Sequence, residues 1–301
     1  MIRKFSGVYT ALLTPFGKNG EVDEKRLDAL VDFLLKRGIY GFYVCGGTGE
    51  GLLMDVAERE KVAELVKQKV GNRVPIITHV GGSVNTENAL KLVKHAEKIS
   101  LDATSSIPPI YYRFSFREIF TYYRSLAEGS SLPLFIYYIP ATTGVFLHNE
   151  EIARLSSIRN IAGLKYTYSD FYLLQDLLLR CPGWTAFSGP DEMFLPGLTM
   201  GVSGCIGSTQ NVLPEIFVGI YQAFMKKEIE KAIALQRRVT QAVSLLKAYG
   251  GMEAWKSALI CRGVDGGYCR PPNRPCLSPR EFKNFSRTWK QLFPEYSEGL
   301  S

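Results

Sequence analysis

A lysine inside the apolar, strand-like run IAGLKYT (161–167) is the residue of this 301-residue chain best suited to covalent chemistry. Lysine is depleted from strands and costly to bury. Alternation puts Ile161, Gly163, Lys165 and Thr167 on one face, and Ala162, Leu164 and Tyr166 on the other. The companions of Lys165 are small or polar, as a face turned into a barrel lumen requires. A desolvated amine gives up its proton more readily and becomes a nucleophile near neutral pH, which is what Schiff-base formation with a carbonyl substrate needs. An edge-strand lysine reaching out to water, or one in a buried ion pair, fits the same seven residues.

Tyr137, in PLFIYYIPATTG, shares an alternating face with Phe135 and Ile139 on the predicted strand just before that of Lys165. A phenol meeting the amine inside a barrel can shuttle protons at the reacting carbon and oxygen. Ordinary core packing is the alternative. The turn CGGTGE (45–50) lets backbone N–H groups approach an anion and adds the Thr48 hydroxyl, although a plain glycine-rich turn has the same composition. Further on, SGPDE (188–192) and GST (207–209) end two more strands. Acidic groups beside small residues suit a polyhydroxylated ligand; Asp191 also fits as the N-cap of the next helix.

The elements that must position these residues alternate. Strands are predicted at 7–15, 39–45, 74–81, 101–109, 132–140, 161–167, 185–190 and 202–209. Between them lie amphipathic stretches, among them a helix at 23–37 stopped by Gly38. Asp55-x-x-Glu58 and Ser115-x-x-Glu118 read as capping boxes. Eight strand–helix units describe an α/β fold, a (β/α)8 TIM barrel, with the chemistry at the strand ends. A doubly wound open sheet is the runner-up. Residues 1–225 form the barrel, and 226–301 read as helices packed on it, interrupted by a Pro/Gly/Arg-rich stretch at 262–279.

Composition narrows the function classes. The chain is 46% hydrophobic, and its 36 basic and 29 acidic residues leave +7. That excess is dispersed among Arg3/Lys4, Lys226/Lys227, Arg237/Arg238 and Arg270, Arg274 and Arg280, unlike the focused patch of a nucleic-acid binder. It suits anionic metabolites. No apolar run spans a membrane and MIRKFSGVYT lacks a signal-peptide core, so the expectation is a cytoplasmic protein with six reduced cysteines. Three histidines without HExxH spacing, and no Gly-x-Ser-x-Gly elbow, speak against a histidine metal site and a serine triad.

Taken in order, GVYTALLTPF, GGTGE, the tyrosine of YYIPATTG, the lysine of GLK, GPDE and GSTQN resemble the pyruvate-dependent aldolase superfamily of dihydrodipicolinate synthase and N-acetylneuraminate lyase. The resemblance covers almost the whole chain. It implies that Lys165 forms a Schiff base with a 2-oxo acid, that Tyr137 relays protons, and that Gly47 and Thr48 hold the carboxylate, with no metal or organic cofactor. It implies that Thr167, Gly189, Asp191, Glu192 and Ser208 bind the rest of the substrate. Tyr111, in PPIYY, resembles the aromatic presented to a neighbouring subunit in homotetramers built as dimers of dimers.

Within the superfamily the pattern is closest to the lyase branch. Thr142 stands where synthases carry an arginine for a second carboxylate, whose fork threonine cannot replace. Two positions depart from the lyases: Gly47 replaces a serine or threonine of the relay, and Pro190 replaces an aromatic or aliphatic residue. The implied reaction is cleavage of N-acetylneuraminate, or a close 2-oxo-3-deoxy sugar acid, to pyruvate and an aldehyde (N-acetylmannosamine). The alternatives are an aldolase for shorter 2-keto-3-deoxy sugar acids, 4-hydroxy-tetrahydrodipicolinate synthesis, and a 2-oxo acid binding protein with impaired catalysis.

Overall fold

The computed structural model describes residues 5–83 and 85–300; Arg3/Lys4 lies outside them. Eight parallel strands close in chain order, and β1 pairs with both β2 and β8. The first half runs β1 (Gly7–Ala11), α1 (Glu24–Leu35), β2 (Gly41–Val44), α2 (Val56–Val70), β3 (Ile76–His79), α3 (Thr86–Lys98), β4 (Ala103–Ser106) and α4 (Phe116–Glu128). The second half runs β5 (Leu134–Tyr138), α5 (Pro140–Thr143), α6 (Asn149–Leu155), β6 (Ile161–Tyr166), α7 (Phe171–Arg180), β7 (Thr185–Ser188), α8 (Phe194–Met200), β8 (Gly204–Gly207) and α9 (Pro214–Met225). Then follow α10 (Ile229–Tyr249), α11 (Met252–Cys261) and α12 (Pro279–Leu292). The (β/α)8 expectation holds and the open sheet is excluded. A closed sheet has no edge strand, so the edge-lysine reading of Lys165 falls with it.

Both expected capping boxes are present, at Asp55/Glu58 and Ser115/Glu118. Each satisfies two amide donors that a helix start leaves bare, a contribution of about 1 kcal/mol per cap. A third, Ser278/Glu281, opens α12. Every strand ends before its predicted C-terminal boundary, because the last residues leave the ladder and become the βα loops that carry Thr167, Gly189 and Ser208.

Two apolar layers result from the period of two. One lies between sheet and helices; the other fills the lumen with Tyr9, Tyr43, Ile77, Phe135, Tyr137, Phe187 and Ile206, among others. The alternation expected for β6 needs one correction. Leu134 pairs with Ile161 but Phe135 pairs with Gly163, so β6 holds an extra residue at Ala162. Ile161 therefore joins the outer core, and Ala162 packs against the lumen. Gly163 (φ +154°) is compelled there, since a Cβ would sit 1.8 Å from the Thr185 carbonyl oxygen. Beyond the bulge the pairing recovers, and Tyr137 lies directly across from Lys165.

The C-terminal helices pack on the barrel through α9, with α12 against α10 and α11. Among the described residues no helix is long and apolar enough to cross a membrane.

Candidate active site

The closed barrel brings Lys165 into an aromatic chamber. Its side chain is buried, with Nζ 4.0 Å from the centroid of the Tyr137 ring and 4.6 Å from that of Tyr43. Tyr137 meets Tyr43 edge-to-face at 6.0 Å and His79 at 5.8 Å. Such faces stabilise a cation above them without a counter-ion, which suits an amine that becomes an iminium. Among the described residues no carboxylate pairs with Lys165, so the buried ion-pair reading also falls. Tyr43 donates to Ser105 Oγ at 3.1 Å, and burial, with Tyr137 beside it, holds its hydroxyl well above the usual phenol range.

His79 borders the chamber. Its Nε2 accepts from the Ile107 amide at 3.3 Å, and Arg59 reaches its carbonyl at 2.5 Å. Burial, then the nearby cations of Arg59 and Lys165, push its pKa well below the ordinary 6.5, so the ring is neutral in the fold. Below 6.5 the unfolded chain binds a proton that the folded ring refuses. The stability contributed by His79 is therefore full above 6.5 and lost as pH falls, approaching about 1.4 kcal/mol per pH unit. Melting curves taken from about pH 7 down to about pH 5 should fall less steeply for His79→Gln; parallel slopes would refute this assignment.

Thr48 and Ser208, predicted on different loops, meet hydroxyl to hydroxyl at 2.6 Å. Gly47 is exposed and a Cβ there would touch nothing within 4 Å. The Thr167 hydroxyl is buried without a partner and packs on Gly189, where a Cβ would lie 1.8 Å from it. The glycine is there to make room for that hydroxyl.

Asp191 is not a helix N-cap. It begins a short 3-10 turn (191–193), and its Oδ2 accepts from the Thr209 amide at 2.9 Å, across to the end of β8. Its Oδ1 is buried and unpartnered, and burial raises its carboxyl above the ordinary range. Glu192 is half-buried and pairs with Lys247 at 2.9 Å. Tyr111 is not brought to the lysine of its own chain: it is 91% exposed, at a left-handed φ of +79°, with its ring edge-on to Tyr112. Thr142 lies exposed on α5.

A profile of the dihydrodipicolinate synthetase family matches residues 4–291. The chain belongs to that family. Within it, the chain is 39% identical over 271 residues to N-acetylneuraminate lyase of Rhizobium meliloti, covering 90% of each. It is 34% identical to N-acetylneuraminate lyase of Pasteurella multocida, over 93% of this chain and 96% of that one. Among solved structures, CdNal from Clostridium difficile in complex with mannosamine superposes with a TM-score of 0.91 at 33% identity, over 97% of this chain and 99% of the other.

Several residues that shape the site of this family member escape a reading of the sequence. Tyr43 and His79 look like ordinary strand residues. Asn211 holds the ends of β1 and β8 together by accepting from the Leu13 amide at 3.0 Å and donating to the Ala11 carbonyl at 2.7 Å. Lys256 had a signal, since it interrupts the apolar run of α11 much as Lys165 interrupts β6. Among the described residues no three His, Cys, Asp or Glu side chains converge to hold a metal, and all six cysteines are free.

Proposed function

We propose that the chain is a Schiff-base aldolase that cleaves N-acetylneuraminate, or a close 2-oxo-3-deoxy sugar acid, to pyruvate and an aldehyde, N-acetylmannosamine in the first case. The observation that carries this reading is the buried amine of Lys165 against the Tyr137 ring at the catalytic end of a closed barrel. The deprotonated amine adds to the C2 ketone, and Tyr137 gives its phenolic proton to the departing hydroxyl, so that water leaves and a protonated imine remains beside the tyrosinate. The Tyr137 tyrosinate takes the proton from the C4 hydroxyl, the C3–C4 bond breaks, and the electron pair of that bond enters the iminium to form an enamine. The aldehyde departs. Protonation of the enamine at C3 and hydrolysis release pyruvate and free Lys165. The iminium is the electron sink throughout, so the scheme calls on no metal or organic cofactor.

The Gly47–Thr48 turn, with Ser208 beside Thr48, receives the carboxylate. Thr167 and Asp191 bond the sugar hydroxyls, a role supported by their unpartnered buried oxygens, since a buried acceptor left without a donor is costly. Exposed Tyr111 supports assembly with a second copy into a homotetramer, each tyrosine approaching a neighbour's site. Six unpaired thiols support a cytoplasmic setting.

Borohydride added during turnover of N-acetylneuraminate tests the reading. A reduced pyruvyl adduct on Lys165 is expected. An adduct carrying the uncleaved sugar would mean binding without cleavage. An adduct with pyruvate but none with sialic acid would overturn the substrate.

Gly47→Ser probes the departure from the lyase pattern. A serine fits without displacing any neighbour, and its hydroxyl adds a donor beside Thr48. We expect unchanged thermal stability and a rise in kcat/KM of about tenfold, below the hundredfold that one transition-state hydrogen bond can reach. Unaltered steady-state kinetics would show that Thr48 already makes that bond.

A further inference from the structure

The Pro/Gly/Arg-rich stretch between α11 and α12 plays no part in the chemistry above, yet it is joined to the carboxylate-binding turn through one buried side chain. Glu50 ends the GGTGE turn and is 3% exposed, with a left-handed φ of +55°. Its Oε1 accepts from Lys256 Nζ at 2.7 Å, and its Oε2 accepts from the Arg270 amide at 2.8 Å and Asn273 Nδ2 at 2.9 Å. Lys256 is equally buried and spends its other protons on the carbonyls of Thr14 (2.8 Å) and Tyr268 (2.6 Å). The Arg270 guanidinium continues outward to the Leu53 carbonyl at 2.9 Å and to both oxygens of Glu58.

The turn itself is closed by Glu50 N donating to the Gly47 carbonyl and Gly51 N to the Gly46 carbonyl, both at 3.0 Å. It has no slack on its inner side: a Cβ on Gly51 would lie 1.8 Å from the Cys45 carbonyl oxygen. Burying an ion pair seldom contributes net stability compared with apolar residues of the same size. What a carboxylate with three fixed donors supplies, and a leucine would not, is direction.

We infer that Glu50 is a positioning residue: held by Lys256, Arg270 and Asn273, it fixes the Gly47–Thr48 turn where the carboxylate of the substrate must land, so the C-terminal segment acts on the reaction through it. The inference rests on the reading that this turn receives the carboxylate. Misplacing a binding group by about 1 Å costs up to a hundredfold. The loss should therefore fall on ketones that carry a carboxylate and spare those that do not.

The test is borohydride trapping at graded concentrations of pyruvate and of hydroxyacetone, a ketone without a carboxylate, with thermal melts alongside. Glu50→Gln is expected to raise the half-saturating pyruvate concentration about tenfold while hydroxyacetone trapping stays within about twofold. Asn273→Leu, which leaves the ion pair intact, should raise it about threefold. The pair Glu50→Gln with Lys256→Met leaves no unpaired buried charge and carries the test if the single variant fails to fold. Equal losses with both ketones, following the folded fraction, would reduce Glu50 to a structural role and overturn the inference, as would unchanged pyruvate trapping in folded variants. A wild-type protein with no preference for pyruvate over hydroxyacetone would overturn it by removing the carboxylate reading of the turn. Trapping of neither ketone would remove the Schiff base as well.

Discussion

Lys165→Ala is expected to lose turnover by about 10⁴-fold or more, and to take up no reducible adduct from pyruvate or sialic acid. No second amine can substitute. Lys256, the other lysine buried among the described residues, has its donors committed to Glu50, Thr14 and Tyr268. The same change should not weaken the fold. Lys165 is a buried amine resting on two aromatic faces, without a carboxylate partner among the described residues, and replacing a buried active-site group kept for reactivity commonly adds about 1 kcal/mol. Intact-mass analysis after borohydride treatment, with a melting curve on the same sample, checks both. An adduct surviving in the variant would move the Schiff base to another residue, and a large fall in Tm would make Lys165 part of the scaffold instead.

Tyr137→Phe is expected to lower kcat by about 10² to 10³, within the range for removing a positioned general acid–base. The ring is retained, so the face beneath Lys165 Nζ and the edge contacts to Tyr43 and His79 persist. Adduct formation from pyruvate should therefore continue, more slowly, while cleavage of the sugar acid stalls. Steady-state kinetics paired with pyruvate trapping separate the steps. A loss below about fivefold in kcat would assign the proton relay elsewhere, with the Thr48 and Ser208 hydroxyls as the next groups to vary.

How much of this was legible beforehand follows from the range of each interaction. Strands and helices announce themselves within a few residues, through the period of the apolar pattern and through caps such as Asp55/Glu58 that close over three positions. The lysine of β6 was visible because its type contradicts its surroundings, and Tyr137 because its strand comes just before. The bulge at Ala162 was not, since it exists only in the pairing of β6 with β5. Nor was the role of Asp191, for which capping and ligand binding leave the same local signature until the Thr209 amide is seen to bind its Oδ2.

Local periodicity and residue types out of place are enough to specify the barrel, the order of its units, and which strand ends carry reactive side chains. Which of those side chains meet depends on closure of the barrel. Thr48 lies 160 residues from Ser208, and Glu50 lies 206 from Lys256. Closing a parallel sheet brings the ends of all eight strands to one rim, whatever their separation along the chain. Burial of that rim then sets which polar groups need partners, and a buried donor or acceptor takes whichever partner the closed fold places within about 3 Å.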